Sequence, residues 1–207
     1  MNVIGIVGSP RRQGNTEILV QEALSAAKEA GADEIEMILL ADKDIHPCTG
    51  CDCCLETEGC VIDDDMQDIY PKLLAADGII IGAPVYFGGI CGLAKLFIDR
   101  TYCLAASHMA IVPTMDKAKF QGRKDLRNKI GGIVTVTARV GNLTVVNQIN
   151  HFFRIHRMFE AGSAMAFALG KGEVVIKDKQ GVNESRWTGR AVVREIKRRQ
   201  ALIKATK

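Results

Sequence analysis

Five short, largely apolar runs alternate with stretches of helical periodicity, and that alternation limits the folds open to this chain of 207 residues. The runs are residues 3–7, 35–40, 78–83, 130–136 and 164–169. Each has the length of a buried strand, and none approaches the ~20 apolar residues that a membrane span requires. Asn15 and Thr16 open a helix with Ile18, Leu19, Ala23, Leu24, Ala26 and Ala27 at helical spacing, and Gly31 stops it. Asp63, Asp64 and Asp65 read as caps of a second helix, which carries Met66, Ile69, Tyr70, Leu73 and Leu74 on one face. Further helices are expected over about 91–101, 143–159 and 185–203. Residues 104–128 are polar and weakly patterned, and read as a long loop with about one helical turn, serving as an oligomer interface or a lid.

Strands apolar on both faces, each followed by a helix, imply a parallel sheet covered on both sides. Right-handed crossovers then give an α/β, doubly wound, five-stranded parallel sheet in the order 2-1-3-4-5, built as one domain over residues 1–207. Ligands of such sheets bind at the carboxyl ends of the strands, where strand order reverses. Every motif discussed below follows a strand's carboxyl end. Hydrophobic residues make up 47% and charged residues 25%, the balance of a soluble globular protein. A net charge of +3 is too small to argue for nucleic acid. The basic residues Arg194, Lys197, Arg198, Arg199, Lys204 and Lys207 read as a solvated helix face. Nothing in residues 1–5 resembles a secretion signal, so a cytoplasmic protein with no membrane partner is expected.

The loop after the second strand, at about 46–62, holds Cys48, Cys51, Cys54 and Cys60 in the spacing C-x2-C-x2-C-x5-C, with Cys53 as a fifth thiol. Three thiolates at two-residue gaps wrap one corner of a compact cluster and a fourth completes it. Ferredoxin-type clusters use that tight arrangement, whereas structural zinc sites pair two knuckles across a longer loop. One cubane 4Fe-4S cluster is the reading. Zinc on the same thiolates, or free thiols in a reducing cytosol, are the alternatives. Cys91 and Cys103 sit in apolar surroundings and read as core. His46 precedes the cysteines and faces solvent or the cluster, while His108, His151 and His156 lack metal spacing.

Residues 8–16, Gly8-Ser9-Pro10-Arg11-Arg12-Gln13-Gly14-Asn15-Thr16, lead from the first strand into a helix. Free first-turn amides, the helix dipole, two hydroxyls and two arginines suit a phosphomonoester dianion. The loop is neither a nucleoside-triphosphate P-loop nor a dinucleotide-binding G-x-G-x-x-G.

On this loop, on Ala83-Pro84-Val85-Tyr86-Phe87-Gly88 and on the cysteines running into residues 60–66, the chain resembles the NADPH-dependent FMN reductase superfamily. Within it, the chain is similar to the iron–sulfur flavoproteins. Residues 75–78 and 95–100 add to the likeness, which covers about the first hundred residues well. The resemblance implies a flavodoxin-like fold, with FMN at Ser9, Arg11, Arg12, Gly14, Asn15 and Thr16 and at Pro84, Val85, Tyr86, Phe87 and Gly88. Tyr86 and Phe87 would flank the isoalloxazine. The third flavin loop departs from the family's Gly- and Ser-rich pattern, leaving the backbone at Thr137, Gly141 or Asn142 as its candidate contact to the flavin pyrimidine edge. Arg139 is either a cation beside the flavin pyrimidine edge or a surface residue. The likeness further implies a four-iron cluster on Cys48, Cys51, Cys54 and Cys60, and a homo-oligomer, commonly a tetramer, in which one chain's cluster serves a neighbour's FMN.

The implied activity is an oxidoreductase that moves electrons between a one-electron carrier such as ferredoxin, the cluster and FMN. NAD(P)H is the other candidate donor. No catalytic side chain is assigned, because the cofactors carry the chemistry. The alternative is an NAD(P)H-dependent FMN or quinone reductase without a functional cluster. A redox-responsive binding protein on the same scaffold is disfavoured, since no DNA-reading element or basic stripe is visible.

Overall fold

The strands are β1 (Asn2–Val7), β2 (Glu34–Leu39), β3 (Gly78–Tyr86), β4 (Gly89–Ile90), β5 (Ile130–Thr137) and β6 (Phe159–Phe167). Five of them are parallel and stand in the order β2-β1-β3-β5-β6, the doubly wound order expected; β4 adds a two-residue antiparallel ribbon to β3. The computed structural model describes residues 1–109 and 122–205, and at 106–109 the backbone alone. The helices among them are α1 (Asn15–Glu29), α2 (Cys53–Glu56), α3 (Met66–Ala75), α4 (Gly92–Arg100), α5 (Tyr102–Met109), α6 (Asn142–Ile155), α7 (Val174–Lys177) and α8 (Lys179–Ala205).

Each face of the sheet has its own apolar core. Met66, Ile69, Leu73, Phe97, Ile149 and Phe153 from α3, α4 and α6 fill one side. Leu19, Val20, Leu24, Val192 and Ile196 from α1 and α8 fill the other. Full burial of one such aliphatic side chain stabilises the fold by roughly 1.5–3 kcal/mol. β5 is buried along its whole length, as a central strand with helices on both faces must be. β2 lies at the sheet edge, which is why Glu34 and Glu36 interrupt it without a buried charge. α1 and α8 pack tightly at Gly189, where a Cβ would collide with the backbone oxygen of Ala23.

Several boundaries differ from the sequence reading. The helix expected to reach residue 159 ends at Ile155, and β6 starts at Phe159. Arg157 takes φ +54, with Met158 N–H donating to Phe153 O at 2.8 Å and Arg157 N–H to Arg154 O at 3.1 Å. This is the Schellman arrangement made without glycine, so the sequence carries no stop signal there. α8 begins at Lys179, where the Asp178 carboxylate accepts the Gly181 amide at 2.8 Å. Of residues 104–128, expected as a long loop with about one helical turn, 104–109 belong to α5; residues 110–121 lie outside the described ones. Of the three expected acidic caps, Asp64 accepts the Met66 amide at 3.0 Å. Asp65 turns away to accept the Asp44 amide at 2.8 Å.

Candidate functional site

Two cavities flank the carboxyl edge of the sheet. The first, of about 180 Å³, lies at the switch between β1 and β3. Ser9 is buried beneath it and accepts the Arg11 amide at 3.1 Å. Gln13 takes φ +53 and donates its amide to Glu17 at 2.6 Å, which folds the loop back over α1. Gly14 is the N-cap of α1 and provides no side-chain cap to the first-turn amides. The cavity is lined by Ser9, Arg11, Gly14, Asn15 and Thr16, by Pro84, Val85 and Tyr86, and by Val136, Thr137 and Ala138. Three loops from β1, β3 and β5 thus converge, and hydroxyls, a guanidinium and uncapped amides at one end fit a phosphate monoester.

A fourth wall was not legible in the sequence. Ala168, Leu169 and Lys171, after β6, complete the lining. Asn15 holds this wall: its Nδ2 donates to Gly170 O at 2.8 Å, and its Oδ1 accepts the Val174 amide at 3.1 Å.

Other candidate flavin residues stand elsewhere. Arg12 pairs with Asp42 and lies outside the lining. Phe87 and Gly88 form the two-residue turn between β3 and β4, with φ +48 and +82. Positive φ at both positions suits the right-handed twist of a hairpin, yet a bulky side chain rarely adopts it. Phe87 is fully exposed at this tip, and Tyr86 is 40% exposed. The tip rests on α6, where Gln148 Oε1 accepts the Ile90 amide at 2.8 Å. Gly141, at φ +103, is required for that approach: a Cβ there would lie 2.7 Å from Val85 Cγ1. Asn142 is buried, accepting from Thr135 Oγ1 at 3.2 Å and donating to Ala166 O at 3.1 Å. Arg139 is exposed beyond the lining.

The second cavity, of about 40 Å³, is lined by Cys48, Cys51, Cys54 and Cys60, with Cys53 outside it. The base of the cysteine loop is zipped shut. His46 N–H donates to Asp64 Oδ2 at 2.8 Å, and Asp65 N–H to Asp44 O at 3.1 Å. Arg123 donates to Cys54 O at 2.8 Å and to Leu55 O at 3.5 Å, where α2 ends. Arg100, Tyr102 and Cys103 form the inner wall. Cys103 is buried as expected, and burial pushes its thiol up to about 11, but it faces the cluster of cysteines rather than core alone. Cys91 donates to Gly8 O at 2.9 Å from behind the first loop.

Burial pushes the Cys54 thiol up, and the neighbouring sulfurs of Cys60, Cys48 and Cys51 push it further. Hydrogen bonds from the backbone and thiol of Cys53 draw Cys51 down. Such crowded sulfurs ionise together only if cations sit among them, which is what a thiolate-bound metal centre supplies. Among the described residues, no three His, Cys, Asp or Glu side chains converge so as to hold a single metal ion. The four thiols instead ring a cavity, and the donor set fits a thiolate-held iron–sulfur cage in its chemistry. The two cavities share no lining residue.

The sequence profile of NADPH-dependent FMN reductases matches residues 1–172. An iron-sulfur flavoprotein of Methanocaldococcus jannaschii is 46% identical over 164 residues, covering 78% of this chain and 76% of its own. One from Methanosarcina thermophila is 34% identical over 169 residues, covering 81% and 80%. Among solved structures, a flavone reductase superposes with a TM-score of 0.71 at 23% identity, over 95% of this chain and 63% of that one. A flavodoxin from the domain Archaea gives 0.58 at 14% identity, over 95% and 99%. These two likenesses establish the fold alone. No described helix is long and apolar enough to cross a membrane.

Proposed function

The chain belongs to the NADPH-dependent FMN reductase family, among its iron–sulfur flavoproteins, and from that premise we propose that it couples FMN to a 4Fe-4S cluster. It is a flavin-dependent oxidoreductase. The observation that carries the cluster reading is selective: the four cysteines of the C-x2-C-x2-C-x5-C spacing line one cavity and the fifth does not. Cys48, Cys51, Cys54 and Cys60 would hold the cluster. Ser9, Arg11, Gly14, Thr16, Pro84, Val85, Tyr86 and Thr137 would hold FMN, with Asn15 bracing the far wall.

A cluster passes electrons singly and a flavin accepts one or two, so the pair links a one-electron carrier to a two-electron acceptor. The protein's part is placement. Uncapped amides, Ser9 and Thr16 would hydrogen-bond a phosphate dianion and Arg11 would offset its charge, Tyr86 borders one edge of the cleft, and the zipped base holds the two ends of the cysteine loop together. The donor in this reading is ferredoxin-like or NAD(P)H, and the assembly is a homo-oligomer, a tetramer. Separate linings for the two cavities favour transfer between neighbouring chains. Anaerobic reductive titration tests the reading: about three electrons per chain are expected, one for the cluster and two for the flavin. Uptake of two would leave a flavin reductase without a cluster.

A further inference from the structure

Arg100 is the largest fully buried side chain of the described residues, at 1% exposure, and it ends α4 directly behind the cysteine cavity. Its Nη1 donates to His46 O at 2.7 Å and pairs with Asp64 Oδ2. Its Nη2 donates to Asp64 Oδ1 at 3.1 Å and to Cys60 Sγ at 3.6 Å. The four Nη hydrogens therefore have four acceptors, three of them oxygens and the last a sulfur. Its Nε–H has no hydrogen-bond partner among the described residues.

Bracing a loop against Asp64 needs only one edge of the guanidinium. The other edge is turned to a thiol, which is a weak acceptor when protonated and a strong, charge-assisted one as a thiolate. The same group ties residue 46, just before the first cysteine, to residue 60, the last. It thus joins both ends of the loop at one buried cation.

Resting on the cluster reading above, we propose that Arg100 is a positioning residue for the cluster: it orients the Cys60 thiolate and raises the cluster's reduction potential. Reduction adds a negative charge to the cluster. A buried guanidinium bonded to a ligand sulfur stabilises the reduced form more than the oxidised one, because hydrogen bonds to sulfur and local charge set these potentials. Asp64 opposes the effect, since its carboxylate offsets the cation. The two residues should therefore move the potential in opposite directions.

The test is spectroelectrochemistry on anaerobically purified protein with its cofactors in place. Arg100→Gln is expected to shift the cluster to a more negative potential and Asp64→Asn to a more positive one, with the FMN potential unchanged in both. Two shifts of the same sign, or none, would overturn the proposal, because a merely loosened loop has no reason to give opposite signs. Should either variant fail to fold, the wild-type protein carrying 15N in its arginine guanidinium groups decides. Nitrogen hyperfine coupling to the reduced cluster is expected, and its absence overturns the proposal. Wild-type protein that holds no iron–sulfur cluster at all would overturn the function reading instead.

Discussion

Asn15 and Gly170 are joined across 155 positions of sequence by a 2.8 Å hydrogen bond from Nδ2 to the carbonyl oxygen. The same side chain accepts the Val174 amide at 3.1 Å, so the first residue of α1 straps the loop after β6 over the cavity between β1 and β3. Asn15→Ala removes both bonds, and at about 1 kcal/mol each a loss of roughly 1–3 kcal/mol in urea unfolding is expected. Amides of residues 168–174 should exchange with solvent faster in the variant. An unchanged exchange rate at Val174 would show that the strap does not hold the wall.

The two adjacent arginines of the first loop are predicted to differ. Arg11 lines the cleft, whereas Arg12 is paired with Asp42 outside it. A charged contact to a phosphate is worth about 1.5–3 kcal/mol, so Arg11→Ala should weaken FMN by roughly tenfold or more and riboflavin far less. Arg12→Ala should leave FMN affinity nearly unchanged. Flavin fluorescence quenching measures all of these, and an equal loss for both arginines contradicts the geometry.

Legibility in the sequence followed the range of the interactions involved. The five parallel strands and their order were readable because burial on both faces forces continuous apolar runs, as in β5. The cysteines and the first loop were readable because their chemistry is local in sequence. The helix end at Arg157 was not, since a non-glycine residue fills the left-handed position. Arg100 and Lys171 were invisible as site residues, because each meets its site through the fold alone. Arg100 lies 40 residues from Cys60 in sequence. The Arg12 expectation came from adjacency to the first loop's motif, and its side chain is engaged by Asp42.

Lys129 is predicted to anchor the end of α3. Its Nζ donates to Leu74 O at 2.7 Å and to Ala76 O at 2.5 Å, placing a cation on orphan carbonyls. Lys129→Met should destabilise the protein by about 1.5–3 kcal/mol at neutral pH. Burial lowers the Lys129 pKa, against the opposing pull of Asp77 and Asp125. A lowered folded value means the unfolded chain holds more protons in the interval between the two values, so wild-type stability rises with pH there. The gap between wild type and Lys129→Met should thus widen as pH climbs through the folded value toward about 10.4. A gap that narrows there would reverse the assignment.

Gly189 is predicted to be intolerant of any side chain. A Cβ at that position meets the Ala23 carbonyl oxygen, so Gly189→Ala must push α8 from α1 despite alanine's better helix propensity. A net loss of about 1–3 kcal/mol in chemical unfolding is expected. A stabilised variant would mean the helices separate freely.

The cluster assignment is tested most directly by counting iron in two single-site variants isolated anaerobically. Cys51 lines the cavity and Cys53, two residues on, does not. Cys53→Ser should retain about four irons per chain, and Cys51→Ser should lose most of them. Full iron in the Cys51 variant, or equal loss in both, would contradict a cluster held by Cys48, Cys51, Cys54 and Cys60.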